Sequence, residues 1–394
     1  SSAPIMHKPL DSLKILDFTY LLPGPYGTMM LADMGADIIK VENSESPDLM
    51  RLMPPYVDEI SAAYAHLNRG KKSLSLNLKK PEAREIIYKL VREYDIVVEQ
   101  FRPGAMDRLC IGYEQLRGIN PSLIYCALTG YGQTGSYAGR AGHDINYLAL
   151  SGVESFSGRA DAGPALTGIQ IADIAAGSKN LAIGVLAACI SRAKTGRGDY
   201  IDVSMTDGVF SLSVFTTAGF LAGEREPRRE GELLNGGCLY DFYPAADGGY
   251  LSVGPLEQKF FKSFCECINS PDMAETGIIN RSNKRRVAEI IAGRPLVYWR
   301  EQFKACDACV EPVNSLAEAI ASPPLSERDM IVEVATSKGD TVRQIGNPIK
   351  FKSGHFYASP AGVKLGYHNA EILTGLGYSS GDIARLKEAG AVGV

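Results

Sequence analysis

An α/β fold built on a parallel sheet is predicted by three features of this 394-residue sequence. Short apolar runs alternate with amphipathic helical stretches through its first half. Glycine and proline punctuate the junctions between them. The composition, 45% hydrophobic and 22% charged, belongs to a globular chain able to bury a large core. Disorder combines low hydrophobicity with high net charge, whereas here 41 basic residues stand against 45 acidic, a net charge of −4. The length suits two or three domains.

Residues 13–18 (LKILDF) read as a buried strand. The turn Pro23-Gly24-Pro25-Tyr26-Gly27 follows, and Pro25 suits a first helical turn. A helix over 28–34 stops at Gly35, and 37–42 (DIIKVE) is a second strand. Strand, helix, strand is the unit of a parallel sheet. The pattern recurs with a strand at 73–78, a helix at 81–94, and strands at 95–99 and 123–128. In that helix Ile86, Ile87, Leu90 and Val91 share the apolar side. The loop 131–142 carries four glycines and follows a strand end, where open α/β sheets place their sites. Residues 173–192 form the longest helix, with Leu181, Gly184, Val185, Ala188 and Cys189 on one face. A strand at 200–204 and a helix at 206–222 complete this part.

Composition changes at Gly223, and the charged stretch 224–232 with Pro227 suits a linker. Residues 239–244 and 250–254 pattern as antiparallel strands, and short helices follow to about residue 327. Residues 331–335 and 341–345 return to strand, and the last 25 residues to helix. The expected division is a large domain over 1–223, a smaller α+β domain over 224–330, and a segment 331–394 that completes the first.

A nucleic-acid binder shows a basic excess that this chain lacks, so an anionic ligand needs a local basic cluster. Eight cysteines, mostly in apolar contexts such as those of Cys126 and Cys189, read as reduced, buried thiols. A reducing compartment follows, with bacterial cytoplasm as the expected setting and mitochondria or peroxisomes left open. Cys265-x-Cys267 and Cys306-x-x-Cys309 do not have zinc-ribbon spacing, so no metal is expected. The loop Pro23-Gly24-Pro25-Tyr26-Gly27 is not Gly-x-Gly-x-x-Gly, and there is no Walker-type Gly-Lys-Ser/Thr loop, which leaves nicotinamide and nucleoside-triphosphate chemistry unsupported. No apolar run approaches the roughly 20 residues of a membrane-spanning helix. Residues 1–4 lack the pattern of a secretory signal, and 391–394 do not end in a peroxisomal tripeptide.

Among five histidines, His7, His66, His355 and His368 read as surface or structural. His143 differs: it follows the glycine-rich loop and starts a helix. A helix N-terminus disfavours imidazolium, which suits a neutral base, and the free N–H groups of the first turn suit an oxyanion. A plain helix cap is the structural alternative. Asp173 stands among Ala172, Ala175, Ala176 and Gly177, small residues that let another molecule approach, and burial would raise its pKa. Glu257, between a strand and a helix, signals nothing alone. Arg69, Lys71 and Arg102 lie near strand ends and Lys40 ends another strand, a placement that suits a phosphorylated ligand.

Several segments carry a resemblance in order along nearly the whole chain. They are Leu21-Leu-Pro-Gly-Pro-Tyr-Gly through Met34-Gly-Ala-Asp-Ile-Ile-Lys-Val-Glu, Asn68-Arg-Gly-Lys-Lys-Ser, Phe101-Arg-Pro-Gly, Gly130-Tyr-Gly-Gln-Thr-Gly, Gly142-His-Asp-Ile-Asn-Tyr, Asp173 before its helix, and Asp307-Ala-Cys-Val-Glu-Pro-Val. Together they resemble the class III CoA-transferase family and, within it, the α-methylacyl-CoA racemases. The resemblance implies a Rossmann-like large domain, a smaller domain, and a homodimer whose chains interlock so that each site draws on both. Acyl-CoA is then the substrate, and no prosthetic cofactor is implied.

In the transferases the aspartate matching Asp173 attacks a thioester; in the racemases it acts as a base. The Gly-His-Asp-Ile-Asn-Tyr segment and Glu257 look like the racemases. The implied reaction is 1,1-proton transfer at the α-carbon of a 2-methylacyl-CoA. His143, partnered by Glu257, serves one face and Asp173 the other, with the Asp144 backbone N–H at the enolate oxygen. Arg69, Lys71 and Arg102 hold the phosphates or adenosine end of CoA, with Lys40, Gly130 and Tyr131 in the same binding set. The alternative activity is CoA transfer between carboxylic acids through an anhydride at Asp173. A non-catalytic acyl-CoA-binding protein is a third possibility, against which all three candidate groups argue.

Overall fold

The computed structural model describes residues 7–393, so the expectation about residues 1–4 lies outside the described part. Six parallel strands form its centre: β1 (Lys14–Phe18), β2 (Asp37–Asn43), β3 (Lys72–Leu76), β4 (Ile96–Glu99), β5 (Ile124–Thr129) and β6 (Asp199–Ser204). Their order is β3-β2-β1-β4-β5-β6. Strands covered on both faces read as continuous apolar runs, and Ile15, Leu16, Ile38, Ile39, Val97 and Val98 are all buried. The Pro81–Leu90 helix buries Ala83, Ile86, Ile87 and Leu90 into this core. The chain runs outward from β1 through β3, then crosses back to β4, so the order reverses between β1 and β4. A parallel sheet leaves a crevice at such a point.

Helix ends depart from the sequence pattern where side chains do not signal them. The first helix is Pro23–Asp33, begun by its two prolines. The longest begins as a π-helical turn, Ile171–Ser178, and continues as Lys179–Thr195. Together these make one 25-residue helix that, by length and composition only, could cross a membrane. It is not the unbroken apolar run that the sequence was searched for, because Asp173, Lys179 and Asn180 interrupt it. The helix packs on β5 and on Pro23–Asp33, burying Leu181, Ala182 and Val185. The expected helix at 206–222 is two helices, Met205–Leu212 and Val214–Leu221.

The larger of two compact units comprises the chain up to Leu148, Ile169–Leu212, and everything from Leu325. The smaller comprises Ala149–Gly168 and Ser213–Pro324. The expected boundaries at 223/224 and 330/331 therefore move to 212/213 and 324/325, and 149–168 changes units. That stretch has no apolar period from which its neighbours could be read.

In the smaller unit Asp241–Pro244 and Tyr250–Val253 pair antiparallel, with Tyr243 opposite Leu251. A third strand, Val310–Pro312, which the sequence pattern did not signal, pairs on the other edge. Phe261, Phe264, Trp299 and Phe303 fill the core behind them. Cys267 and Cys306 are disulfide-bonded, which corrects the expectation of reduced thiols for these two; the other six cysteines are free. In the larger unit Ile331–Ala335 and Thr341–Ile345 form a hairpin.

Candidate active site

The ends of β1, β4 and β5 open on a cavity of about 470 Å³ within the larger unit. Its rim is tied together by one amide. Gln100 accepts a hydrogen bond from the Gly24 N–H at 2.9 Å and donates to the Tyr20 carbonyl at 2.7 Å, joining β4 to the turn after β1. A Cβ at Gly24 would lie 2.2 Å from Thr19 Cβ, so only glycine permits this approach.

Asp173 lines the cavity from the π-helical turn. Its small neighbours Ala172, Ala176 and Gly177 are buried, and the Ser178 hydroxyl donates to the Pro23 carbonyl, seating the turn against the first helix. Burial pushes the Asp173 carboxyl up to about 7, with the Asp144 carboxylate acting in the same direction. The Asp144 side chain also accepts a hydrogen bond from the Asp173 backbone N–H at 2.9 Å. Asp144 therefore positions Asp173, a role its expected part as a backbone donor did not include.

His143 lines the same cavity and is exposed. Asn146 supplies the helix cap, its side-chain oxygen accepting from the His143 backbone N–H at 3.0 Å. That overturns the plain-cap alternative: among the described residues no hydrogen bond or ion pair engages the imidazole. Gly130 and Tyr131 also line the cavity. Tyr147 donates to the Gly142 carbonyl at 2.6 Å and packs edge-on to Tyr131. A Cβ at Gly130 would lie 2.3 Å from the Tyr147 ring.

The expected cations divide. Arg102 lines the cavity and is exposed. Lys40, Arg69 and Lys71 are buried and paired internally, which corrects their assignment to a ligand. Arg69 holds both oxygens of Asp33 at 2.9 and 2.8 Å. Lys40 pairs with Asp48 at 2.5 Å and Lys71 with Asp17 at 3.1 Å. Burial lowers the Lys71 ammonium to about 8 despite the attraction of Asp17. A cation removed from water needs a fixed partner, and these three spend their charge within the fold. Sequence reasoning missed Arg140, which lines the cavity and lies 4.6 Å over the Tyr137 ring. A basic residue in a glycine-rich loop just before His143 was the available signal. Glu257 belongs to the smaller unit, exposed at the start of the Gln258–Cys267 helix with no side-chain capping bond. Among the described residues no three His, Cys, Asp or Glu side chains gather as metal ligands.

Comparison with known proteins gives the setting for this geometry. The sequence profile described as CoA-transferase family III matches residues 10–369. A succinate–glutarate CoA-transferase from Agrobacterium fabrum is 34% identical over 391 residues, 95% of this chain and 97% of its own. The human alpha-methylacyl-CoA racemase is 32% identical over 383 residues, 96% of each chain. A crystal structure of a CAIB/BAIF family protein from Brucella suis superposes with a TM-score of 0.82 at 29% identity, covering 94% of this chain and all of that one.

Proposed function

This chain belongs to CoA-transferase family III, and from that premise we propose that it acts on acyl-CoA thioesters and moves the proton at their α-carbon. The observation that carries the choice of proton transfer is the pairing of His143 and Asp173 on one cavity, with the Asp173 carboxyl near 7. A group that gives and takes a proton at neutral pH works best with a pKa near the operating pH. One group removes the α-proton and the other returns one to the opposite face, inverting the centre. Each is base in one direction and acid in the other. The enolate oxygen requires a donor, for which a backbone N–H of the first turn at Asp144 is the candidate. Glu257 enters this reading from its sequence context alone, as the group that orients the histidine. Arg102 and Arg140 are the cations available for the CoA phosphates. A homodimer is part of the same reading, supported by exposed Ile183 and Ile190, seven residues apart on the Lys179–Thr195 helix of the larger unit. Large apolar surface left in water marks an interface.

The second reading is CoA transfer between carboxylic acids, with Asp173 as nucleophile and an acyl-aspartyl anhydride as intermediate. The family description and the Agrobacterium relative favour it, and overall similarity leans towards it over racemisation. Asp173 serves both readings; His143 serves the first. The deciding experiment is incubation of one enantiomer of a 2-methylacyl-CoA in deuterium oxide without an acceptor acid. Racemisation with deuterium at the α-carbon, abolished in His143→Ala, supports proton transfer. No exchange, with CoA transfer once succinate is added and little effect of His143→Ala, establishes the second reading instead.

A further inference from the structure

Glu99 is a buried carboxylate that the mechanism above does not use. It ends β4, immediately before the stretch Gln100, Phe101 and Arg102 that forms one wall of the ligand cavity. It is 5% exposed, and among the described residues no cation pairs with it. An unpaired buried carboxylate is costly unless hydrogen bonds hold its charge. Two do so here: the Phe101 backbone N–H donates to Oε2 at 2.8 Å and the Tyr125 hydroxyl to Oε1 at 3.2 Å. The first sets the turn by which the chain leaves the strand. Phe101 then stacks on Tyr20 with ring centroids 5.7 Å apart, and Tyr20 lines the same cavity.

Behind this wall lies a separate space of about 220 Å³, lined by Glu99, Asp107, Tyr113, Tyr125 and Tyr200, with Gln133 from the glycine-rich loop. The Gln133 Nε2 is buried there without a partner. A buried donor without a partner and a buried carboxylate without a cation thus share a space behind the ligand cavity.

We propose that Glu99 is a positioning residue for the ligand cavity: as a carboxylate it holds the Phe101 backbone, and so Arg102, in the conformation that takes the anionic CoA moiety. The proposal rests on the reading of this cavity as a CoA-thioester site. Burial raises the Glu99 carboxyl to about 7, against the bonds from Phe101 and Tyr125, and Asp107 acts in the same direction as burial. The other titratable groups around it are Glu114 and Tyr113 from one helix, Cys126 beside Tyr125 on β5, Tyr200 on β6, and Arg102 on its own stretch. Protonation turns a charge-assisted bond to Phe101 into a weaker neutral one. CoA affinity therefore falls as pH falls through 7. A charge that acted only through space would do the reverse, since neutralising it favours an anionic ligand.

The test is calorimetric binding of CoA from pH 5.5 to 8.5 in an Asp173→Asn parent, which removes the other carboxyl that titrates near 7. Binding is expected to weaken about tenfold towards pH 5.5, the factor for one pKa unit of coupling. Adding Glu99→Gln should flatten that profile at the weaker level. Tyr125→Phe should keep the slope and move its midpoint to higher pH, because it removes a donor to the charged form. This second variant carries the test if Glu99→Gln does not fold. An unchanged slope in Glu99→Gln, or tighter binding at low pH, overturns the proposal and leaves the CoA reading intact. Failure of every form to bind CoA overturns both.

Discussion

Asp173 and its neighbours show how a residue's surroundings assign its work. Its raised carboxyl has a consequence for stability whose sign is fixed. A carboxyl near 7 in the folded protein and near 4 unfolded favours the protonated native state, so stability falls as pH rises from about 4 to 7 and then levels. Asp173→Asn removes that cost. Its melting temperature should exceed the parent's by a margin that grows over that interval, while racemisation and transfer are both lost; a constant margin would show that the carboxyl is not perturbed. The arginines make the complementary contrast. Arg69→Ala should cost about 3–5 kcal/mol in chemical denaturation, because it leaves the buried Asp33 without its cation and with only the Ala358 N–H as a donor. CoA affinity of the folded fraction should not change. Arg140→Ala should do the opposite, weakening CoA binding about tenfold, as expected for losing a charge-assisted hydrogen bond, with unfolding unchanged.

At the scale of elements, the site depends on turns that bring backbones closer than side chains allow. Gly130→Ala would drive a Cβ into the Tyr147 ring and separate it from Tyr131. The expected loss is about 1–3 kcal/mol of stability together with a raised KM for thioester, read by thermal unfolding and steady-state kinetics. The π-helical turn at Ile171–Ser178 is the other such element. Turns of this kind recur at functional sites, and here one carries Asp173 to the cavity. Neither feature was visible as an element in the sequence. The glycines announced a loop and the small residues a close approach, but the hydrogen-bond pattern that makes the turn π-helical is not encoded in side-chain periodicity.

For the whole molecule, the strand order places the switch between β1 and β4, and the proposed chemistry collects there. The helix that passes for a membrane span packs one side on the sheet and leaves Ile183 and Ile190 exposed on another. On the dimer reading a second chain covers that outer face. Sedimentation should give the mass of two chains, with Ile183→Asp shifting the population towards the monomer. A monomer at micromolar concentration would remove the dimer from the reading.

The larger sheet was legible in the sequence because strands buried on both faces leave continuous apolar runs, as at Ile15, Leu16, Ile38 and Ile39. The strands Ile331–Ala335 and Thr341–Ile345 were legible to the residue from their strand-like patterning, and their pairing as a hairpin came from the structure. His143, Asp173, Arg102, Gly130 and Tyr131 were legible as types in context, and the fold brings all five to one cavity. What the tertiary structure alone decided is which charges are free. Lys40, Arg69 and Lys71 carry the same signal in sequence as Arg102, but Asp48, Asp33 and Asp17 neutralise them inside the core. Their partners lie 8, 36 and 54 residues away along the chain, beyond the reach of any local pattern. Tertiary packing likewise set the Asp173 and Glu99 carboxyls near 7, since desolvation depends on what surrounds a group in space and not on its neighbours in sequence.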